Sequence, residues 1–474
     1  MVLIQRATTL QSGEKMKLIG KQYDMVHAIV AAIARNKGRA LLVGGAVRDM
    51  VMGGEVKDVD IEVYGLPQEQ LETILKEFGP VSLVGKAFGV LRVHGLDVDW
   101  SLPRADSPGR KPTVVIDPYM SIETAARRRD LTMNAMALDL MTQELIDPCN
   151  GINDIKSKIL RTPDARFFIQ DPLRFYRVMQ FIGRFEMWPD NELNDLCAKM
   201  DIADVSRERI EQEFRKLFLY SVRPSHGIRW LNSIGRLKDV LPELAATVGV
   251  EQSPQWHPEG DVFEHSMQAL DAAAVIAQKY DNEWDKLVLL YAALCHDLGK
   301  VTTTRLVNGV IKSIGHEKDS RVFARSMMKR ITHNADLMSA VSCLVLYHMM
   351  PLQFTSSKAK LPAYKKLANK LAHNVTMLQL IDLCIADKRG RNGQSHEPLT
   401  CDFPDVEIFK DNVQRAGVGT SAVQPILTGA DLLGLVPPGP EMGRLLTLAY
   451  EKQIEQGIAD KQLLKDYVIK IMKK

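Results

Sequence analysis

Two aspartates in Lys57-Asp58-Val59-Asp60-Ile61 stand two residues apart, a spacing that puts both side chains on one face of a strand. Two carboxylates so placed can hold divalent ions. Such ions suit phosphoryl transfer, one activating an attacking hydroxyl and the other neutralising charge on a leaving pyrophosphate. A third acid, Asp99, falls in the later apolar run Leu96-Asp97-Val98-Asp99-Trp100, and a sheet that sets this run beside the first would gather three carboxylates. Asp97 shares the face of Asp99 and competes for that position. Upstream, Gly44-Gly45-Ala46-Val47-Arg48-Asp49 lies where a strand turns into a helix. Main-chain N–H groups there, with the Arg48 guanidinium, can face a triphosphate.

A second set of residues suits a different chemistry. His265, the adjacent His296-Asp297, His316, His348 and Asp387 follow one another through a helical region, in an order that can gather imidazole and carboxylate ligands for one or two transition-metal ions. Adjacent His and Asp inside Leu294-Cys295-His296-Asp297-Leu298-Gly299-Lys300 would be costly to bury without a metal. Lys300 and Arg389 are candidate phosphate partners. His27, His226, His333 and His373 read as ordinary helix histidines, and His257, in Trp256-His257-Pro258-Glu259-Gly260, as a turn residue.

The elements that position the first set are legible as helix and strand in alternation. Val26, Ile29, Val30 and Ile33 recur at helical spacing, Gly38 closes that helix, and Ala40 to Val43 reads as a strand. Further strands are expected at 58–64, 81–84, 88–93 and 96–102, with a loop over 103–112. From about Ile152 the periodicity is almost wholly helical, broken at 247–260, 389–404 and 434–440. The predicted fold is α+β: a small mixed-sheet head followed by all-helical domains.

Composition sets bounds. The 474 residues allow about three domains. The formal charge of +3, from 61 basic and 58 acidic side chains, confines any nucleic-acid surface to local patches, with Arg127-Arg128-Arg129 the first candidate. Six singly scattered cysteines argue against a disulfide framework and fit a reducing cytoplasm. No secretory leader is evident and no apolar run reaches the ~18 residues that span a bilayer, so no membrane partner is expected.

Four motifs in order carry a resemblance: Gly44 to Asp49 with Asp58 and Asp60; Arg128-Arg129-Asp130-Leu131-Thr132-Met133-Asn134-Ala135; Asp171-Pro172-Leu173-Arg174; and Glu208-Arg209-Ile210 with Glu213 and Lys216. Together they resemble the class II tRNA nucleotidyltransferase and bacterial poly(A) polymerase superfamily over about residues 40–220. A looser likeness to CCA-adding enzymes with an HD phosphohydrolase domain extends to the C-terminus. The resemblance implies a nucleotidyltransferase head (1–151), a helical neck with base-reading and RNA-binding elements (152–250), an HD domain (251–395) and a helical tail (396–474). It implies Mg²⁺ on Asp58 and Asp60 with Asp99 in support. Gly45, Arg48, Arg128, Arg129, Asp130, Asn134 and Arg177 are implied for the nucleotide, and Arg209, Glu213 and Lys216 for RNA binding or the neck's structure. His265, His296, Asp297 and Asp387 match the core ligands of a divalent transition metal, and His316 and His348 match positions for a second metal or a phosphate.

The implied partners are CTP, ATP and tRNA. Asp171 and Arg174 match the pair that reads the incoming base, a role that chemistry rationalises. Cytosine and adenine both offer an exocyclic amine beside a ring-nitrogen acceptor, which a carboxylate and a guanidinium complement. Guanine and uracil would set a carbonyl against the carboxylate, a mismatch of ~1–3 kcal/mol or more. Gln170 and Gln180 depart from the family pattern without removing a base-reading side chain. A poly(A) polymerase is the nearest rival reading, but such enzymes carry two adjacent basic residues where this chain has Lys86-Ala87. An RNA-end hydrolase working mainly through the HD site is the rival of another class.

Overall fold

The computed structural model describes residues 21–56, 58–84, 89–106 and 114–473. Lys57, the Lys86-Ala87 position and residues 107–112 of the expected loop lie outside the described residues, whereas Arg104–Asp106, expected within that loop, is a strand paired antiparallel with Val114–Ile116. The chain divides into two compact units, Met1–Glu213 and Phe214–Lys474.

The first unit opens with α1 (Lys21–Arg35), which buries Val26, Ile29, Val30 and Ile33, and turns at Gly38 into β1 (Arg39–Val43). A side chain at Gly38 would stand 2.6 Å from Leu66 Cδ1, so only glycine lets this turn pack. There follow α2 (Gly45–Val51), β2 (Asp60–Tyr64), α3 (Gln68–Lys76), β3 (Val81–Val84), β4 (Val90–Val93), β5 (Asp99–Ser101), α4 (Ile122–Arg127), β6 (Ala137–Asp139) and β7 (Leu145–Ile146). The seven strands form one mixed sheet in the order β3-β4-β5-β2-β1-β6-β7. Its pairings are antiparallel except β2 with β5, which run parallel because α3 and the β3–β4 hairpin form the crossover between them. On β2, Ile61 and Val63 enter the head core beside Leu42, Leu91 and Trp100. Asp60, Glu62 and Tyr64 take the opposite face.

Each expected strand of the acidic region begins later than its sequence pattern indicated, so Asp58 precedes β2 and Asp97 precedes β5. β6 had no sequence signal, being three residues long and buried throughout with no alternation to read. The unit continues through α5 (Gly151–Ser157), α6 (Leu173–Phe185) and α7 (Asn191–Lys199), and ends within α8 (Arg207–Tyr220).

The second unit is helical apart from one hairpin. Its helices include α9 (Ser225–Ser233), α10 (Val262–Ala277), α11 (Glu283–Cys295), α12 (His316–Ile331), α13 (Ala335–Tyr347), α14 (Met377–Arg389), α15 (Pro404–Ala416), α16 (Pro440–Gln456) and α17 (Lys461–Met472). The hairpin pairs β8 (Thr304–Val307) with β9 (Val310–Ser313) through Asn308-Gly309, both at positive φ. α10 and α11 are buried on nearly every side, the mark of central core helices. α16 and α17 close a smaller core of their own around Leu445, Ala449, Leu464 and Val468.

One stretch, Ala335–Ser356, is long and apolar enough to cross a membrane, contrary to the expectation that none would be. Its Leu337, Val341, Leu344 and Val345 are buried in this unit and it carries His348, so its apolarity is that of a core helix.

Candidate active sites

In the head, the parallel register of β2 and β5 sets Asp60 opposite Asp99. Asp60 opens to solvent, yet its surroundings strip part of its hydration, and that burial together with the charges of Asp99 and Asp58 raises its carboxyl above the usual range. A cluster of acids that repel one another is relieved by a divalent cation, so the donor set fits the expected metal. Arg92 meanwhile pairs with Asp99 at 2.6 Å. Asp97 is exposed and ahead of the strand.

Several basic residues of the head are held by acidic, amide, carbonyl or aromatic partners. Gly44, at φ 69°, starts α2, and a side chain there would come within 3.6 Å of Arg129. Gly45 follows as the first residue of α2. Arg48 is buried; its Nη2 pairs with Asp49 at 2.7 Å, its Nη1 donates to Asn134 Oδ1 at 2.8 Å, and its guanidinium lies over the rings of Phe181 and Phe185. Asn134 in turn donates to Asp130 Oδ1 at 3.0 Å, and Arg177 donates to Asp130 Oδ2 at 2.6 Å. This chain ties α2, the turn Thr132–Asn134 and α6 together. Although burial opposes its charge, Arg177 and Asn134 hold the Asp130 carboxyl down at about 2. Arg129 reaches Glu62 at 3.4 Å, and Tyr64 donates to the other Glu62 oxygen at 2.6 Å. Arg128 stacks on Phe167.

At the start of α6, Asp171 accepts from the Leu173 N–H at 3.1 Å and pairs with Arg209 at 3.2 Å. Arg174 donates to the carbonyls of Phe167 and Arg128, at 2.8 and 2.6 Å. Its guanidinium is thereby fixed by main chain. Gln180 is buried and accepts from Arg184 at 3.3 Å. Glu213 is buried on α8, and Lys216, further along that helix, falls in the second unit.

In the helical unit the six expected ligands converge. His265 Nε2 stands 3.1 Å from His296 Nε2 and 3.2 Å from Asp387 Oδ1. His316 Nε2 stands 3.1 Å from His348 Nε2 and 3.0 Å from Asp297 Oδ1. Asp297 joins the two groups, since its Oδ2 lies 3.3 Å from His296 Nε2. His296, His316 and His348 each donate Nδ1–H to the carbonyl three residues earlier, Ala293, Ser313 and Val345, which leaves each Nε2 lone pair facing inward. Imidazole lone pairs directed at each other across 3.1 Å repel unless a proton or cation lies between them. The cluster therefore fits one or two bound metal ions. Although burial opposes ionisation, His296 and Lys300 hold Asp297 well below the usual carboxylate range, and Arg391 does the same for Asp387.

The surroundings of this cluster depart from the sequence reading. Lys300 joins it as expected, 2.7 Å from Asp297 Oδ2 and 2.7 Å from Gln252 Oε1. Arg389 turns away to Asp402, while Arg391, two residues on, binds Asp387 at 2.7 Å. The helix ends at Arg389, and the chain curls back over the site beyond it. His257 is more than a turn residue. Its Nδ1 and the Nδ1 of His265 both contact Glu259 Oε1, at 2.8 and 2.7 Å. Although burial opposes its charge, these two contacts hold the Glu259 carboxyl down at about 2. Glu62, Phe181 and Arg391 carried no motif signal, because each acts through a residue distant in sequence or on the next turn, and Glu259, although inside the stretch Trp256 to Gly260, has no role in the sequence reading.

Comparisons with known proteins match both parts of the chain. The Poly A polymerase head domain family matches residues 40–161, and the HD domain family matches 262–389. A Multifunctional CCA protein of Mannheimia succiniciproducens is 32% identical over 366 residues, covering 74% of this chain and 84% of that one. A Multifunctional CCA protein of Xanthomonas oryzae pv. oryzae is 31% identical, covering 86% and 96%. Among solved structures, the Bacillus stearothermophilus CCA-adding enzyme in complex with CTP superposes with a TM-score of 0.62 at 17% identity, over 96% of this chain and 98% of that one. The two-site architecture and the near full-length match to these relatives lead to one conclusion: the chain belongs to the multifunctional CCA protein family of tRNA nucleotidyltransferases.

Proposed function

We propose that this enzyme adds C, C and A stepwise to the 3′ end of tRNA from CTP and ATP, without a nucleic-acid template, and hydrolyses phosphoesters at a second site in its helical unit. The observation that carries the first activity is the register of Asp60 against Asp99, with Asp58 just ahead of the strand. Asp58 and Asp60, supported by Asp99, would hold Mg²⁺. Bound there, Mg²⁺ supplies charge neutralisation for the attacking 3′ hydroxyl and the leaving pyrophosphate.

The chain's own residues bind and select the nucleotide. Arg128 and Arg129 line the approach of the triphosphate, while Arg48, Asn134, Asp130 and Arg177 lock the loop that carries them onto α6. Arg174, anchored on two carbonyls, presents a fixed donor edge, and Asp171 presents acceptor oxygens beside it. Cytosine and adenine satisfy both, whereas uracil and guanine bring a carbonyl to Asp171. Arg209, Glu213 and Lys216 on α8 serve RNA binding or the structure of the neck. Specificity for tRNA comes mainly from its shape and backbone. On this reading the chain divides into head (1–151), neck (152–250), HD domain (251–395) and tail (396–474). The free cysteines fit work in a reducing cytoplasm.

In the helical unit, His265, His296, Asp297 and Asp387, with His316 and His348, would hold divalent transition metal, which supplies activated water and charge neutralisation for phosphoester cleavage. Lys300 and Arg391 flank the cluster as counter-charges for a phosphate.

The test is incubation of the full chain with Mg²⁺ and a tRNA lacking its last three nucleotides, supplied with CTP, ATP or both. Two additions with CTP and a third only when ATP is present are expected. A long ladder with ATP alone on unrelated RNA would overturn CCA addition in favour of poly(A) synthesis.

A further inference from the structure

Four imidazoles meet in the helical unit, and one is held differently from the rest. His296, His316 and His348 each donate Nδ1–H to a main-chain carbonyl three residues back in their own segment. His265 sits within the first turns of α10, where the preceding carbonyls are committed to the helix, and its Nδ1 instead faces Glu259 Oε1 at 2.7 Å and Gly390 O at 3.1 Å. The Glu259 side chain is fully buried. The same oxygen receives His257 Nδ1 at 2.8 Å, and Oε2 has no protein donor among the described residues. The hydrogen-bonding commitment of this carboxylate is to the two imidazoles.

We propose that Glu259 is a positioning residue that makes the two metal positions of the cluster unequal, strengthening the one formed by His265, His296 and Asp387 over the one formed by Asp297, His316 and His348. A carboxylate behind a ligating imidazole fixes its tautomer and pushes electron density towards the metal-facing nitrogen more strongly than a carbonyl does. Only the first position has this support, since both ligands of the second that are histidines rest on carbonyls. His257 is a second, separable partner of the same Glu259 oxygen, with its own Nε2 3.4 Å from Lys300. The inference rests on reading this cluster as a metal site.

The test is titration of the metal-free full chain with Co²⁺, in millimolar Mg²⁺ to occupy the carboxylates of the head, followed by calorimetry and by the visible cobalt spectrum. The unaltered chain is expected to fill two positions with separable affinities. Glu259→Gln keeps size and packing but removes the charge, and is expected to weaken the tighter position by about 10–100-fold while leaving the weaker one unchanged. His257→Ala, which leaves Glu259 to His265 alone, is expected to retain the tight position within about three-fold, well short of the loss from an absent outer partner. Equal weakening of both positions by Glu259→Gln, or no change in either, overturns the proposal. So does loss of the tight position in His257→Ala to the same extent, because loop packing would then be the cause. Failure of the unaltered chain to bind Co²⁺ at all overturns the metal reading itself, a result separate from any effect of the variants.

Discussion

Asp60 and Asp99 are direct register partners on adjacent parallel strands, although 39 residues separate them and neither strand exceeds five residues. Parallel neighbours place equivalent residues side by side on the same face, so two acids separated by a whole crossover share one pole of the sheet. Replacing Asp60 or Asp99 by Ala is expected to cut nucleotide addition by roughly 10²–10³-fold or more, since several kcal/mol of charge stabilisation is lost and each ~1.4 kcal/mol is tenfold. Asp97→Ala should stay within about two-fold, as an exposed charge ahead of the strand contributes little. Single-turnover rates with CTP and a truncated tRNA decide it, and equal losses at Asp97 and Asp99 would reject the register argument.

Base choice is expected to depend on Asp171 in a way that overall activity does not. Asp171→Ala removes the acceptor oxygens that disfavour uracil and guanine carbonyls, so the preference for CTP over UTP should fall by about 10–100-fold, the equivalent of ~1–3 kcal/mol. Arg174→Lys should be as damaging as Arg174→Ala. A lysine cannot hold the carbonyls of Phe167 and Arg128 and still present a planar donor edge. Competition between CTP and UTP in primer extension measures both, and unaltered selectivity in Asp171→Ala would remove it from the reading pair.

The buried pair of Asp130 and Arg177 predicts how the head responds to acid. The Asp130 carboxyl lies at about 2 in the folded chain against an ordinary value of 3.8, so its contribution is complete above pH 4 and is lost as pH falls through 2. That difference is worth about 2 kcal/mol at neutral pH. Asp130→Asn should therefore lower head stability by at least this much at pH 7, leaving Arg177 buried without its counter-charge, with the deficit shrinking between pH 4 and pH 2. Urea unfolding of both proteins across that range checks it.

How far the sequence led can be argued from these residues. Asp58, Asp60, Asp99 and the six side chains that cluster in the helical unit could be singled out because each is chemically distinctive and stands in a recognisable local pattern. The head's core was legible from periodicity, as with Val26, Ile29, Val30 and Ile33 on α1. What stayed hidden acts across distance. The three residues of β6 have no alternation to read, yet they complete the sheet beside β1. Arg48 read as a phosphate contact from its place after paired glycines, and only the fold reveals that its guanidinium is held by Asp49, Asn134 and two phenylalanine rings. Arg389 and Arg391 are equally basic in sequence, and the end of α14 decides which of them turns to Asp387.

The two activities should be separable by metal and by mutation. Exhaustive chelation is expected to stop both, and Mg²⁺ alone to restore CCA addition, since carboxylates suit Mg²⁺ while an imidazole-rich cluster favours transition metals. Asp297→Ala removes the carboxylate that joins the two histidine groups, at 3.3 Å from His296 and 3.0 Å from His316. It should abolish the proposed phosphoester hydrolysis while leaving CCA addition within about two-fold, as sites in separate folding units behave additively. Loss of both activities in this variant, with the fold intact by circular dichroism, would refute their independence.

Asp271 gives the helical unit a pH dependence of the opposite sign. Its carboxylate oxygens accept from the Ser225 N–H at 2.9 Å and the Ser225 hydroxyl at 2.6 Å, but burial outweighs these bonds and pushes its carboxyl up to about 7. A group raised above its unfolded value of 3.8 stabilises fully below that value, and the contribution is lost as pH climbs through 7. Between pH 8 and pH 5 the unaltered unit should gain roughly 2–3 kcal/mol from this group. The decisive quantity is the difference from Asp271→Asn, which keeps an acceptor for the Ser225 N–H and carries no proton. The variant should be the more stable protein at pH 8, and the gap should narrow by that amount as the pH is lowered to 5. A gap that stays constant over that interval would mean Asp271 remains ionised in the fold, held by Ser225 and the neighbouring Arg229 and Arg223 against the cost of burial.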